Sequence, residues 1–95
     1  MPRYLIERAW NSLQEEEMAK KGPLSKRILT QDEHFSRVSW EHSHMVMDED
    51  GELKSYCVYS SPNTELIRQH SELLGDHTIR GIYEIGGDIS PADFD

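Results

Sequence analysis

The sequence predicts an α+β fold, and three observations lead to it. Four runs rich in branched and aromatic residues have the composition of strands, and two other runs have the apolar spacing of helices. The two kinds of run occur in the order β-α-β-β-α-β, which is the ferredoxin-like pattern. It predicts a four-stranded antiparallel sheet with both helices on one face. The opposite face then has no helical cover.

The first strand is predicted over residues 3–10, which are rich in aromatic and branched side chains. Asn11 and Ser12 follow as candidate helix caps. Ser12 together with Glu15 matches the capping box, in which a hydroxyl and a carboxylate bind the free amides at a helix start. The adjacent glutamates suit the first turns, where the helix dipole favours negative charge.

The first helix is predicted to be disturbed at Gly22-Pro23. Proline removes a backbone donor and clashes with the preceding helical turn. A kink or a break is therefore expected, with Pro23 starting a second segment. The apolar positions that follow keep roughly helical spacing. They are Leu24, Ile28, Leu29 and Phe35.

A hairpin is predicted from the second strand, residues 37–47, and the third, residues 53–60. Asp48-Glu49-Asp50-Gly51 forms its turn, since Asp-Gly readily supplies the positive φ angles. Strict alternation divides the second strand into two faces. One face would carry Val38, Trp40, His42, His44 and Val46, and the other Ser39, Glu41, Ser43, Met45 and Met47.

The second helix has clear predicted ends. Ser61 can cap it, Pro62 suits the first helical position, and Gly75 can close it in a left-handed conformation. Its apolar face is formed by Leu66, Ile67, His70, Leu73 and Leu74.

The last strand is predicted over residues 78–86. We expect one ferredoxin-like domain over residues 1–88, since a chain of 95 residues is too short for two cores. Residues 89–95 would form a loose acidic tail that contains Pro91.

The charge balance narrows the range of partners. The chain has 18 acidic and 10 basic residues and a net charge of −8, all of it in residues 48–95. Such a chain repels the phosphates of nucleic acids and anionic membranes, so neither is expected as a partner. The acidic half is either a solubilising surface or a field that attracts cations.

Three further features bear on location and assembly. No run approaches the roughly 18 apolar residues of a membrane span, and Arg3 and Glu7 interrupt any signal-type stretch at the start. Cys57 is the single cysteine, so a reducing cytoplasm is expected.

Hydrophobic residues make up only 36% of the chain, and together with the uncovered sheet face this low content predicts a homodimer.

His42 and His44 are the leading candidates for chemistry. Residues two apart on a strand point the same way, so both imidazoles can reach one cation. Imidazole is a good ligand for nickel, copper and zinc. Two ligands do not complete a site, so others must come from neighbouring elements or a second subunit. The alternative is a pair of structural histidines on the strand surface.

Three more residues are candidate metal ligands. Glu7 and Glu84 interrupt apolar strands that are neighbours in this topology, and a charge there needs a cation or hydrogen bonds. Alternatively they pair with arginines such as Arg8 and Arg80, or face water. His70 lies on the apolar face of the second helix, as a ligand or as a neutral core residue.

Other chemistry-bearing residues carry no site of their own. Cys57 is interpreted as a small buried residue, and His34 and His77 as solvated. The sequence has no nucleophile arrangement and no glycine-rich phosphate loop.

The chain resembles a family of small bacterial proteins, one branch of which is described as nickel-binding with a ferredoxin-like fold. The resemblance covers residues 2 to about 86. The stretches that carry it are Pro2-Arg3-Tyr4-Leu5-Ile6-Glu7-Arg8, Trp40-Glu41-His42-Ser43, Tyr56-Cys57-Val58-Tyr59, Ile67-Arg68-Gln69-His70 and Ile82-Tyr83-Glu84-Ile85. Family positions are matched at Glu7, His42, Cys57, His70 and Glu84.

This resemblance implies a dimeric protein that binds Ni²⁺, or another divalent transition metal, at histidine and acidic side chains, for sequestration. His44 stands where the family usually has tyrosine, so the His-x-His pair is particular to this chain. The leading hypothesis is therefore a cytoplasmic nickel-binding homodimer.

Two other functions remain open at this point. One is a cofactor-free enzyme, monooxygenase- or isomerase-like, that uses the open sheet of a dimeric α/β barrel. Its pocket would be lined by Trp40, His42, Tyr56 and Glu84, with His42 as general base. The other is a non-catalytic regulatory or binding module. A deep apolar pocket at those residues would favour the enzyme, whereas an exposed histidine pair would favour the metal.

Overall fold

The computed structural model describes residues 1–10 and 15–94. The predicted cap at Asn11-Ser12, and with it the capping box, lies outside the described residues. The strands are β1 (Arg3–Trp10), β2 (Ser39–Met47), β3 (Leu53–Ser60) and β4 (His77–Glu84). The helices are α1 (Glu15–Gln31) and α2 (Thr64–Leu74). Within these residues no helix is both long and apolar enough to cross a bilayer.

The four strands form one antiparallel sheet in the order β2-β3-β1-β4. Both helices lie on the same side of it, where Ser25 of α1 is within hydrogen-bond distance of Tyr59 of β3 and of His70 of α2. The predicted ferredoxin-like α+β fold is therefore confirmed. The side of the sheet that carries no helix is called the open face below.

The core lies between the helices and the sheet. Alternation along β1 and β3 sends every second side chain to this side. The buried cluster consists of Tyr4, Ile6, Phe35, Val38, Cys57, Tyr59 and Ile67. Cys57 is buried as expected, at 4% exposure. Because this core is one-sided, the residues that face away from it are available for other contacts.

A β-bulge in β2 changes which residues share a face. Trp40 pairs with Tyr59 and His42 pairs with Val58, so Glu41 is an extra residue without a partner of its own. One inserted residue reverses the facing of the side chains on either side of it. Trp40 therefore lies on the helix side, whereas His42 lies on the open face. The predicted grouping of Trp40 with His42 is wrong for this reason.

The first helix runs from Glu15 to Gln31 and continues through Pro23. Of the expected kink or break, the break does not occur, and Pro23 does not start a second segment. Proline crowds the β-carbon of the residue before it, and Gly22 has none. Pro23 and Ala19 are both exposed, so water can bind the Ala19 carbonyl that loses its helical partner. Phe35 belongs instead to a separate 3₁₀ helix, Glu33–Phe35, capped by Asp32.

The second helix begins two residues later than predicted. Its cap is Asn63, whose side chain accepts a hydrogen bond of 3.0 Å from the Leu66 amide. Ser61 is buried and donates to the Asn63 carbonyl at 2.7 Å, so its hydroxyl holds the preceding turn. The predicted end is confirmed, since Gly75 has φ 70° and its amide donates to the Ser71 carbonyl.

The cap assignment can be tested by substitution. Asn63→Ala is expected to lower the free energy of unfolding by about 1 kcal/mol, because the Leu66 amide loses its acceptor. Urea denaturation followed by circular dichroism measures this loss. Thr64→Ala, an exposed change one residue along, is the matched control and should have a smaller effect. An equal loss in both variants would contradict the assignment.

The remaining boundaries agree closely with the sequence. β1 and β3 have the predicted limits, whereas β2 starts at Ser39 and β4 covers His77–Glu84. The hairpin turn is confirmed, with Gly51 at φ 82°. Hydrogen bonds from the Glu52 and Asp50 amides hold the pKa of Asp48 below its usual value. The division into a domain of residues 1–88 and a tail of 89–95 stays a prediction.

Candidate functional site

The open face brings polar side chains from all four strands into one row. His44 of β2 is paired with Tyr56 of β3, and Tyr56 with Glu7 of β1. Glu7 is in turn paired with Gly81 of β4. Tyr83, two residues along β4, covers Gly81, because a β-carbon added there would lie 2.3 Å from the Tyr83 hydroxyl.

His42 and His44 form a pair at one end of this row. Their ring centroids are 5.4 Å apart, and the rings are nearly perpendicular at 80°. Both residues are exposed, and β2 is an edge strand. A cation about 2.1 Å from an imidazole nitrogen lies about 3.2 Å from the ring centre, so two rings that share it can be up to about 6 Å apart. The observed spacing fits a shared divalent cation.

Glu7 lies near the middle of the open face and is surrounded by donors. The Tyr56 and Tyr83 hydroxyls donate to its carboxylate at 3.4 and 3.5 Å, and Lys54 Nζ lies 3.7 Å away. Its side chain is only 19% exposed. The alternative that Glu7 pairs with Arg8 is excluded, because Arg8 lies on the other side of the sheet. The tyrosines were missed as partners since their contact with Glu7 depends on strand register.

The other two predicted ligands lie elsewhere. His70 is fully buried on the helix side, with Nε2 3.2 Å from Ser25 Oγ. Burial, aided by the positive charge of Arg8, lowers the pKa of His70 to about 4. Glu84 is paired with Tyr4, whose side chain is in the helix-side core, so Glu84 lies on the helix side as well. Its own side chain is exposed. Of the five predicted ligands, only His42, His44 and Glu7 share a face.

Even these three do not converge within one chain. Neighbouring strands lie about 4.8 Å apart, so β2 and β1, with β3 between them, are about 10 Å apart. Within residues 1–10 and 15–94 no group of three or more His, Cys, Asp or Glu side chains is placed to hold a metal ion. A single chain therefore offers two imidazoles and leaves the remaining ligand positions open.

An acidic side chain borders the histidine pair. Glu41, the extra residue of the bulge, accepts two hydrogen bonds from Arg3 at 2.9 and 3.2 Å. The bond from Arg3 is the main reason that the pKa of Glu41 is lowered. Nothing in the sequence pattern marks the position of the bulge, so this neighbour of His42 was missed. Because the Arg3 guanidinium binds both oxygens of this carboxylate, Glu41 supplies negative potential beside the histidine pair rather than a ligand.

The remaining histidines have different surroundings. His34 is exposed and contacts Gln69. His77 is half-buried against Trp10, with ring centroids 4.6 Å apart, so the prediction that it is solvated is wrong. Burial lowers its pKa. His77 is the first residue of β4 and is paired with Trp10, the last residue of β1.

A cavity of about 320 Å³ lies on the helix side of the sheet, opposite the histidine pair. Of the residues proposed to line an enzyme pocket, Trp40 lines this cavity, whereas His42, Tyr56 and Glu84 do not. A general-base role for His42 therefore has no support from this cavity. The histidine pair is exposed, which is the arrangement expected for a metal.

The chain matches a known protein family over most of its length. Residues 4–85 match the family described as "Nickel responsive protein SCO4226-like". No curated protein matches the chain significantly. The family match covers nearly the same residues as the resemblance seen in the sequence and confirms it.

Proposed function

The chain belongs to the nickel responsive SCO4226-like family, and from this premise we propose that it binds Ni²⁺ on the open face of its sheet. The observation that carries the proposal is the exposed pair of His42 and His44, with ring centroids 5.4 Å apart. Two neutral imidazoles suit nickel, as they suit other late divalent transition metals. The metal is the cargo of the protein rather than a catalytic cofactor.

A second copy of the chain would complete the ligand set. One chain supplies two imidazoles, whereas a tetragonal nickel site needs at least four ligands. In a two-fold dimer the same patch faces itself, so each histidine pair can be joined by side chains of the other copy. The uncovered open face and the low apolar content support a homodimer that uses this face.

Glu7 is the proposed acidic contributor. It shares the open face with the histidines, its carboxylate accepts long hydrogen bonds from Tyr56 and Tyr83, and Lys54 lies at ion-pair distance. Such partners orient a carboxylate, and metal-bound carboxylates usually have them. His70 and Glu84 are outside the proposed set, because they lie across the sheet.

The proposed role is sequestration of nickel in the cytoplasm. The acidic half of the chain raises the local concentration of cations without supplying ligands. Sequestration needs affinity rather than a reactive centre, and the exposed histidines have no adjoining substrate cavity among those described. The cytoplasmic location rests on the single cysteine, Cys57, which is buried.

Titration of the tag-free protein with NiCl₂ by isothermal calorimetry tests the proposal. We expect saturable binding of Ni²⁺ at neutral pH, with a number of ions per chain set by the dimer. MgCl₂ is the control, because Mg²⁺ is attracted by the surface charge but is a poor partner for imidazole. Light scattering with and without nickel checks the dimer. Absence of heat with nickel, or equal heat with magnesium, would refute nickel binding at the histidines.

A further inference from the structure

The cavity between α1 and the sheet is a second feature, separate from the open face. Its volume is about 320 Å³, near the lower end of the range for small-molecule sites. Apolar and aromatic side chains form most of its wall, including Trp10, Met18, Trp40, Met45 and Tyr59. Such a wall favours a ligand with an apolar body.

A buried cation also lines this cavity. Arg8 is 1% exposed, and its Nη2 donates to Ser71 Oγ at 2.9 Å. The centre of its guanidinium lies 5.3 Å from the centroid of the Tyr59 ring. Its Nε has no hydrogen-bond partner, and none of the ion pairs formed by the described side chains, those of residues 1–10 and 16–94, involves Arg8. A buried charge without a counter-ion is costly, so an anion in the cavity would be stabilised.

The neighbouring polar groups do not supply that counter-ion. Lys21, which also lines the cavity, donates to the Leu74 carbonyl and to Asp76 Oδ2, both at 2.8 Å. Ser55 Oγ accepts from Trp10 Nε1 at 2.9 Å and from Cys57 Sγ at 3.6 Å. Among the bonds formed by the described residues Ser55 Oγ only accepts, so its hydroxyl hydrogen can be donated to an oxygen acceptor. These groups add a donor near the guanidinium, and none of those described balances its charge.

We propose that this cavity binds a small organic monocarboxylate, whose carboxylate pairs with Arg8 and whose apolar body contacts the aromatic wall. A carboxylate matches the planar donors of a guanidinium. One buried arginine balances a single negative charge, whereas a phosphate dianion would need further cations. The inference is independent of nickel, because the cavity and the histidine pair lie on opposite sides of the sheet.

Tryptophan fluorescence tests the proposal directly. Trp10 and Trp40 are the two tryptophans of the chain, and both line the cavity. We expect phenylacetate and octanoate to change the emission saturably and to raise the melting temperature. Neutral phenylacetamide has the same body without the charge, and it should bind at least about tenfold more weakly.

Matched variants locate the binding. Arg8→Met keeps the length of the side chain and removes the charge, and it should weaken phenylacetate at least about tenfold. Arg68→Met, an exposed change on α2, is the control and should bind as the original protein does. If Arg8→Met fails to fold by circular dichroism, Ala19→Phe serves instead. Ala19 is an exposed residue that lines the cavity, and the larger ring should block binding.

Three results would overturn the proposal. The first is that neither carboxylate produces a saturable change up to about 10 mM, which is weaker than a specific site requires. The second is equal binding of phenylacetate and phenylacetamide, which would reduce the cavity to an apolar one. The third is unchanged phenylacetate binding in a folded Arg8→Met or Ala19→Phe variant.

Discussion

Replacing both His42 and His44 with alanine is expected to weaken nickel binding by more than about 100-fold. Loss of a hydrogen-bond partner behind a metal ligand already costs about 10- to 100-fold, so loss of the two ligands themselves should cost more. Calorimetric titration of the double variant with NiCl₂ measures the effect. The fold should be retained, with a change of at most about 0.5 kcal/mol, because both side chains are exposed.

Four further variants make this experiment specific. His34→Ala removes an exposed histidine away from the open face and should leave nickel affinity unchanged. The single changes His42→Ala and His44→Ala should each lose most of the affinity, since each removes one of the two imidazoles that a chain supplies. Glu7→Gln keeps the shape and removes the charge, so a smaller loss is expected if Glu7 contributes. A double variant that binds nickel as tightly as the original protein would refute the proposed site.

The stability of the protein is expected to fall by up to about 3 kcal/mol as the pH drops from 6.5 to 4, through His70 alone. Burial depresses the pKa of His70 to about 4 in the folded state, from 6.5 as its ordinary value. Between these values the unfolded chain takes up a proton that the folded protein does not. The contribution of His70 to the free energy of unfolding is therefore fully present above pH 6.5, where His70 is neutral in both states. It decreases as the pH falls through this window, because only the unfolded chain gains the proton.

Urea denaturation at a series of pH values measures this dependence. His70→Gln keeps a polar group near Ser25 but cannot titrate, so its stability should vary less between pH 6.5 and 4 than that of the original protein. His77→Gln is the matched control for the other buried histidine, whose pKa is lowered in the same direction. An unchanged pH dependence in His70→Gln would contradict the assignment. The carboxylates affect all three proteins alike, so the difference between the curves isolates His70.

Much of the architecture could be predicted because it depends on local signals. The limits of β1 and β3, the turn at Asp48–Gly51 and the end of α2 at Gly75 follow from side-chain composition and from the positive φ that glycine permits. Errors occurred where two local signals competed. Ser61-Pro62 and Asn63 both have the form of a helix start, and only the burial of Ser61 decides between them.

The site was less predictable than the fold. Alternation correctly places His42 beside His44, since both follow the bulge in β2. It cannot reveal the bulge, so Trp40 was assigned to the wrong face. Glu7 and Glu84 look equivalent in the sequence, as charges in adjacent strands. The register between β1 and β4 pairs Glu7 with Gly81 and Glu84 with Tyr4, which puts the two glutamates on opposite faces. His70 matched the helical apolar pattern, which does not distinguish a buried core residue from a ligand.

The sequence by itself determined the order of the elements, the one-sided sheet, the acidic second half and the pair of neighbouring imidazoles. These follow from composition and short-range spacing, which act within a few residues. Tertiary structure alone decided which face each side chain occupies, the contacts of Glu7 with two tyrosines, and the burial of Arg8 with no ion-pair partner among the described side chains. Those properties depend on the register between strands far apart in the chain and on what packs above them, and no local pattern encodes either.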